Sequence, residues 1–398
     1  MSDISIPNFR FKKYTSNLVK TKLSKIATFN PKSLLPENFK YIDLESVLGT
    51  ELVSCREETR ETAPSRAQRV AQKGDVFYQL VRPYQKNNYL FDLNESNYVF
   101  STGYAQLRPK VDSAFLLARL QEEGFVNKVI ERCTGTSYPA INSKDLSRIS
   151  ITIPEDFDEQ SAIGSLFRTL DALLASYKNN LANYQSLKST MLSNMFPKSG
   201  QTVPEIRLDG FDGEWEIKKF KSISTKRGKS NSKGYDYPAY SVSNQSGLIP
   251  QSEQFDGSRL ENLEKTSYKI VEPNEFAYNP ARINVGSIAF NDLDETVIVS
   301  SLYVIFSLDK SINNNYALLF IKSPKFNKEV RRNTEGSVRE YLFYENFANI
   351  RIPIPPSLEE QQAIGVYFSN LDSLITAHQE KISQLETLKK KLLQDMFI

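Results

Sequence analysis

Three short stretches carry residue types that do chemistry, and each lacks a part that chemistry needs. Asn279-Pro280-Ala281-Arg282 is close to the Asn-Pro-Pro-aromatic signature with which adenine-N6 methyltransferases hold a flipped base. The second proline and the stacking aromatic are missing, and no glycine-rich cofactor loop precedes the stretch. Arg227-Gly228-Lys229-Ser230 ends like a Walker A phosphate loop, but Ile223 stands where its first glycine belongs. Glu216-Ile217-Lys218 matches only the tail of a nuclease motif, a triplet that chance supplies often. A single histidine, His378, and two distant cysteines, Cys55 and Cys133, suit neither a metal site nor a disulfide framework. These residues predict a chain that is non-catalytic and binds no cofactor or metal itself.

The elements that position side chains are written twice. Sliding Ile149–Pro197 onto Ile350–Ile398 needs no gap, and roughly 18 of the 49 positions are identical where chance gives about three. A weaker echo opens each half: Ile6-Pro7-Asn8-Phe9-Arg10-Phe11 lies against Val203-Pro204-Glu205-Ile206-Arg207-Leu208. Between these anchors the halves diverge. Only faint matches survive there, such as Gly74-Asp75-Val76-Phe77-Tyr78 with Arg82 against Asn274-Glu275-Phe276-Ala277-Tyr278 with Arg282.

Isoleucine on every second residue of Ile149–Pro154 and Ile350–Pro355 predicts a half-buried strand that the proline closes. Asp156 with Glu159, and Ser357 with Glu360, follow the capping-box pattern of a helix start. Apolar residues then keep helical spacing. The first seam reads Ile163, Leu166, Leu170, Leu173, Tyr177 and Leu181, continuing through Tyr184, Leu187, Met191 and Met195. The second reads Ile364, Tyr367, Leu371, Leu374, His378 and Ile382, continuing through Leu385, Leu388, Leu392 and Met396, with a four–four slip at Tyr177–Leu181 and its copy. About 38 residues at 1.5 Å each make a rod of roughly 57 Å. Ten seam side chains are worth about 15–30 kcal/mol gross when buried, so each rod needs a partner, and the simplest is its antiparallel copy.

At 398 residues the chain is too long for one core, and a composition 40% apolar and 24% charged is globular. No apolar run approaches a membrane span, and the start lacks a secretory layout, which points to the cytoplasm. A net charge of +3 neither demands nor excludes nucleic acid, because binding needs a basic face and not a basic total. Lysines crowd the N-terminus (Lys12, Lys13, Lys20, Lys22, Lys25) and a mid-chain stretch (Lys218, Lys219, Lys221, Lys226, Lys229).

In order, these phrases resemble the specificity subunits of type I restriction–modification systems. The matching residues are Ile-x-Ile-Pro followed by Glu-Gln-x-x-Ile (Ile151–Ile163, Ile352–Ile364) and Leu-Lys ahead of Met-Phe (Leu187–Phe196, Leu388–Phe397). Others are Pro204–Arg207 running to Gly213-Glu214-Trp215, and Gly135–Ile141 ahead of the first strand. The first leading segment, Ile6–Ile26, departs from the pattern by lacking the Gly-x-x-Gly-Glu-Trp stretch. The resemblance implies an α+β chain with two α/β target-recognition domains separated by two long antiparallel helices, an intramolecular coiled coil with a pseudo-two-fold repeat. Its divisions would be 1–153 and 198–354 for recognition, 154–197 and 355–398 for the spacer helices.

By the same resemblance, each recognition domain reads half of a split, asymmetric site in double-stranded DNA, and the helices dock two modification subunits. S-adenosylmethionine, ATP and Mg are expected on the modification and restriction subunits. Base edges are read by Arg, Lys, Asn, Gln and Ser. The candidates are Arg56, Arg60, Ser65, Arg66, Gln68, Arg69 and Arg82 in the first domain. In the second they are Lys226, Arg227, Lys229, Ser241, Ser243, Asn244, Gln245, Arg282, Arg331 and Arg332. Two rival readings are a stand-alone methyltransferase or nuclease, and a coiled-coil scaffold whose ends bind protein.

Overall fold

The computed structural model describes residues 7–135, 137–244, 247–254, 265–333 and 341–397. The chain is α+β and divides into two compact units, Met1–Asn180 with His378–Ile398, and Leu181–Ala377. Two long helices, Phe157–Asn194 and Leu358–Met396, each contribute residues to both units.

Each unit is closed by the same device. Leu18–Lys22 pairs antiparallel with Ser150–Pro154 in the first, and Glu216–Lys219 with Arg351–Ile354 in the second. A long helix follows each closing strand, but not with the predicted capping box. Asp156 accepts from the amide of Asp158, and Ser357 Oγ accepts from that of Glu360, while neither glutamate turns back. Glu159 and Glu360, both 1% exposed, instead take a two-pronged guanidinium from the leading segment. Arg10 donates from Nε and Nη2 at 2.6 and 2.7 Å, and Arg207 does the same at 2.7 and 2.8 Å. A fixed fork matched to a carboxylate outcompetes a local backbone contact. The leading segments also close on helix ends: Phe9 N donates to Asp395 O at 2.9 Å, and Ile206 N to Asn194 O at 3.1 Å. Lacking the Gly-x-x-Gly-Glu-Trp stretch therefore does not leave the N-terminal segment undocked.

Within the first unit the beginning of one helix lies against the end of the other. Phe167 stacks on Phe397 with ring centroids 5.9 Å apart, Tyr177 meets His378 at 5.4 Å, and Lys389 pairs with Asp171. The second unit repeats this with Lys188 on Asp372, the same two repeat positions with the helices exchanged. The predicted antiparallel pairing is thus present in both units.

The phase of the seam differs from the predicted one. Buried and half-buried positions run Ile163, Phe167, Leu170, Leu174, Tyr177, Leu181, Tyr184 and, in the last helix, Ile364, Phe368, Leu371, Ile375, His378, Ile382, Leu385. Steps of four and three alternate without a slip, the regular heptad of a left-handed pair. Leu173 and Leu374 are 42% and 41% exposed and lie off the seam, while Leu166 and Tyr367 flank it half-buried. Adjacent leucines at 173 and 174 satisfy a helical count equally well; only the partner's register selects one.

The duplication extends beyond its visible anchors. In the first unit the strands Ala27–Phe29, Tyr104–Pro109, Val76–Gln79 and Tyr89–Leu90 form a sheet in that order. In the second, Ser224–Arg227, Val304–Leu308, Phe276–Tyr278 and Ile288–Phe290 form one in the same order. Two short helices follow each sheet, capped by Asp112 on Phe115 N and by Asn313 on Tyr316 N. Phe125 with Val129, and Phe326 with Val330, sit at equivalent buried positions 201 residues apart. Buried positions tolerate one apolar residue for another of suitable size, so the frame persists while identity fades. The second four-stranded sheet of the first unit, ordered Arg56–Thr59, Asn38–Ile42, Tyr98–Ser101, Ala67–Val70, recurs in looser form in the second unit: Gly247–Pro250 pairs with Tyr240–Ser243 and Val297–Val299 with Lys269–Val271, and a single parallel bridge between Ala239 and Ile298 joins the two pairs.

One repeated position differs electrostatically. Asp75, 1% exposed, takes Arg108 Nε and Nη2 at 2.9 Å each and Gln106 Nε2 at 2.7 Å. Its counterpart Glu275 has Arg227 Nε only at 3.7 Å, and burial, reinforced by the neighbouring Glu272 charge, pushes its carboxyl above the usual range. Asp75→Asn should cost roughly 3 kcal/mol, because it strands a guanidinium. For Glu275 the sign is opposite. A raised folded value favours the protonated fold, so its contribution is present below the ordinary carboxylate range and lost as pH rises through the folded value. Glu275→Gln should be neutral or slightly stabilising at pH 7 and should flatten that loss, read from urea unfolding at several pH values.

Candidate nucleic-acid interface

In the first unit the candidate side chains before Arg82 fall on opposite edges of the second four-stranded sheet. Arg56 and Arg60 lie at one edge: Arg56 donates to Glu58 at 2.8 Å and covers the Tyr41 ring, and Arg60 donates to Leu35 O and pairs with Glu37. Ser65, Arg66, Gln68 and Arg69 lie at the other edge, with two strands between, where Gln68 donates to Ser65 O at 2.8 Å. Arg66 is exposed; Arg69 is half-buried, its Nε lacks a partner, and burial lowers its pKa. The sequence cluster is therefore split in space.

Arg82 stands apart from both edges. It follows the buried strand Val76–Gln79 and opens a 3-10 turn, Pro83–Gln85, with a left-handed backbone (φ 54°). Such a backbone at a non-glycine residue costs of order 1 kcal/mol and persists only where the surroundings impose it. Here its amide donates to Pro139 O at 2.8 Å, and its guanidinium lies over the Tyr138 ring, 4.3 Å from the centroid. Tyr138 is 63% exposed. It was outside the candidate set, although it lies in the Gly135–Ile141 phrase that sequence comparison had already singled out.

In the second unit Lys226 and Arg227 occupy an edge strand, and Lys229 follows it, exposed. Lys226 donates to Glu345 at 2.7 Å, and that bond draws the Glu345 carboxyl below its usual range; Arg227 donates to Ser307 at 3.1 Å. Nearby Lys269 donates to Tyr303 O, and burial followed by the Lys226 charge lowers its pKa. Ser241 is 7% exposed inside the hairpin Tyr240–Pro250, a correction to its assignment as a reading residue: Val242 on the opposite strand face is buried as well, so this stretch is covered on both sides. Ser243 is half-buried and Asn244 exposed, while Gln245 lies outside the described residues. The hairpin adjoins the turn that carries Arg282, through Ser287 Oγ donating to Val242 O at 3.2 Å. Arg282 is exposed. Arg331 and Arg332 are exposed on the helix Pro324–Asn333, with Arg332 paired to Glu329. Among the described residues there is no group of three or more metal-ligating side chains.

One frame, built twice, thus carries two different sets of exposed polar and basic groups. Residues 65–184 and 213–387, the greater part of the chain, match the type I restriction modification DNA specificity domain. The chain belongs to that family. Among its relatives is the type I restriction enzyme MjaVIII specificity subunit of Methanocaldococcus jannaschii, 22% identical over 303 residues, 71% of this chain and 69% of that protein. The putative MjaX specificity subunit of the same organism is 22% identical over 292 residues, 70% of this chain and 65% of that protein. The HindI specificity subunit of Haemophilus influenzae is 27% identical over 167 residues, 40% of this chain and 35% of that protein.

The fold is that of solved specificity subunits. The type I restriction–modification S subunit from M. genitalium covers 99% of this chain and of its own at TM-score 0.64 and 14% identity. A chain from a study of type I system assembly and conformational transition gives TM-score 0.52 at 20% identity, covering 96% of this chain and 98% of its own. No helix among the described residues is long and apolar enough to cross a membrane.

Proposed function

We propose that this chain is the non-catalytic reading subunit of a cytoplasmic restriction–modification complex, and that each unit reads one half of a split, asymmetric site in double-stranded DNA. The observation that carries this reading is the repeated frame with unrepeated contents: equal frames hold the two readers, unequal surfaces give unequal half-sites. Base readout would come from exposed members of the candidate set, Arg66 and Gln68 in the first unit and Lys229 and Asn244 in the second. Adenine methylation, with its S-adenosylmethionine, would belong to modification subunits, and ATP- and Mg-dependent translocation and cutting to restriction subunits.

Two modification subunits fit a further repetition. Leu173 and Leu374 are repeat equivalents at 42% and 41% exposure, and Phe157 and Leu358 are equivalents at 56% and 36%. An apolar group displayed twice at matching positions is what a pair of identical partners would cover. Leu173→Asp combined with Leu374→Asp should leave stability within about 1 kcal/mol of the parent while reducing co-purification of the modification subunit.

The deciding experiment is methylome sequencing of the host with and without this gene. Loss of adenine methylation at one bipartite motif is the expected result. An unchanged methylome in a host whose modification subunit is expressed and active would sink the reading.

A further inference from the structure

We propose that Arg82 and Arg282 are equivalent phosphate anchors, one per unit, that hold the DNA backbone of each half-site without contributing to which bases are read. The proposal rests on the reading of this chain as a DNA-specificity subunit.

The two turns close with the same pair of hydrogen bonds. Gln85 N donates to Arg82 O at 3.0 Å and Val285 N to Arg282 O at 3.2 Å. Lys86 N donates to Pro83 O at 3.1 Å and Gly286 N to Ile283 O at 3.0 Å. Each turn closes on a left-handed residue, Lys86 at φ 57° and Gly286 at φ 92°. Each follows a buried strand ending near an equivalent tyrosine, Tyr78 or Tyr278, both 0% exposed. Although Arg82 enters its turn at φ 54° and Arg282 at φ −137°, the closing hydrogen bonds and the left-handed final residue recur at a constant spacing.

The side chains on them do not. Across Gln79–Asn88 and Asn279–Ile288 the paired residues differ at every position except the arginine. An arginine retained there for folding would show a fold-side partner. The Arg282 guanidinium has no hydrogen-bond or carboxylate partner among the described residues. Among the described residues Arg82 has only the exposed Tyr138 ring beneath its face, which leaves the N–H edges of the guanidinium open. By contrast Arg10, Arg56, Arg60, Arg108, Arg148, Arg168 and Arg207 are all committed to carboxylates.

Two half-sites of different sequence share only their sugar–phosphate backbone. A reader of bases must differ between the units, whereas a residue that grips phosphate is free to stay the same. Arginine suits that role because its planar fork meets phosphate oxygens with two N–H groups. Stacking on Tyr138 preorients one fork, so the first anchor loses less freedom on binding than the second.

The test uses the full chain assembled with its modification subunits, on a duplex carrying the wild-type methylated motif and on a scrambled duplex. Arg82→Gln and Arg282→Gln should each weaken binding roughly tenfold on both duplexes at moderate salt. Each should reduce the steepness of the log affinity–log salt plot by about 0.9, and the double variant by about twice that. Arg→Lys at either position should restore most of the loss. The methylated motif should be unchanged in all variants, and their melting temperatures should match the parent. A motif that relaxes at one base, or an unaltered affinity and salt slope, would overturn the proposal while leaving the chain a specificity subunit. If the wild-type assembly shows neither a bipartite motif nor sequence-selective retention, the underlying reading fails with it.

Discussion

Leu174→Asp should unfold the first unit, whereas Leu173→Asp, one residue earlier, should barely move it. Leu174 is 7% exposed and belongs to one continuous core with Ile163, Phe167, Leu170, Leu385, Met396 and Phe397. The substitution deletes a buried isobutyl group and puts an unpaired carboxylate in its place. Losing the apolar side chain alone is worth about 2–5 kcal/mol, and desolvating a charge adds several more. That sum reaches the whole stability of an ordinary domain, about 5–15 kcal/mol. Loss of soluble protein, or a collapsed urea midpoint with near-random circular dichroism, is the expected result. Leu173 at 42% exposure stays on the solvent side of the same helix and should tolerate the charge within about 1 kcal/mol. Equal damage from both substitutions would contradict the heptad phase.

Glu360→Ala should be the most costly single truncation of a charged side chain in the second unit, about 3–5 kcal/mol. Its carboxylate is 1% exposed and receives Nε and Nη2 of Arg207, itself 14% exposed, while Nη1 of Arg207 continues to Gly213 O at 2.6 Å. Removing the acid leaves a cation buried among carbonyls that satisfy only part of it. Replacing both partners by apolar residues of similar volume, as in Arg207→Met with Glu360→Leu, should recover most of the loss, since a buried pair gains little over packed hydrocarbon. Urea denaturation of the two variants separates these outcomes. The first-unit equivalent should respond less, because Arg10 is 20% exposed and its Nη2 keeps Ser16 O at 2.7 Å and Ser16 Oγ at 3.1 Å as acceptors. A double substitution as damaging as the single one would show that geometry, and not the stranded charge, governs the clasp.

Much of this chain is legible without coordinates where periodicity or repetition acts locally. Alternating isoleucines specify the closing strands, because a pleated strand turns every second side chain to one face. Proline-free stretches with a four–three apolar rhythm specify two long helices, since only a helix gathers those positions on one side. Gap-free repetition specifies that the two helices are equivalents and matches Glu159 with Glu360, while the weaker leading echo matches Arg10 with Arg207.

Decisions that depend on which chain segment sits opposite were made by the tertiary structure. It chose Leu174 and Ile375 over Leu173 and Leu374, because either choice satisfies a lone helix and only the partner's register excludes one. It diverted Glu159 and Glu360 from capping their own helices to gripping arginines about 150 residues away. It buried Ser241, spread Arg56 and Arg69 to opposite edges of one sheet, and seated Arg82 on Tyr138. Recognition surfaces escape sequence reading for the same reason. Their members are brought together by loops and strand order, which no local pattern records, whereas a core imprints its period on every element that builds it.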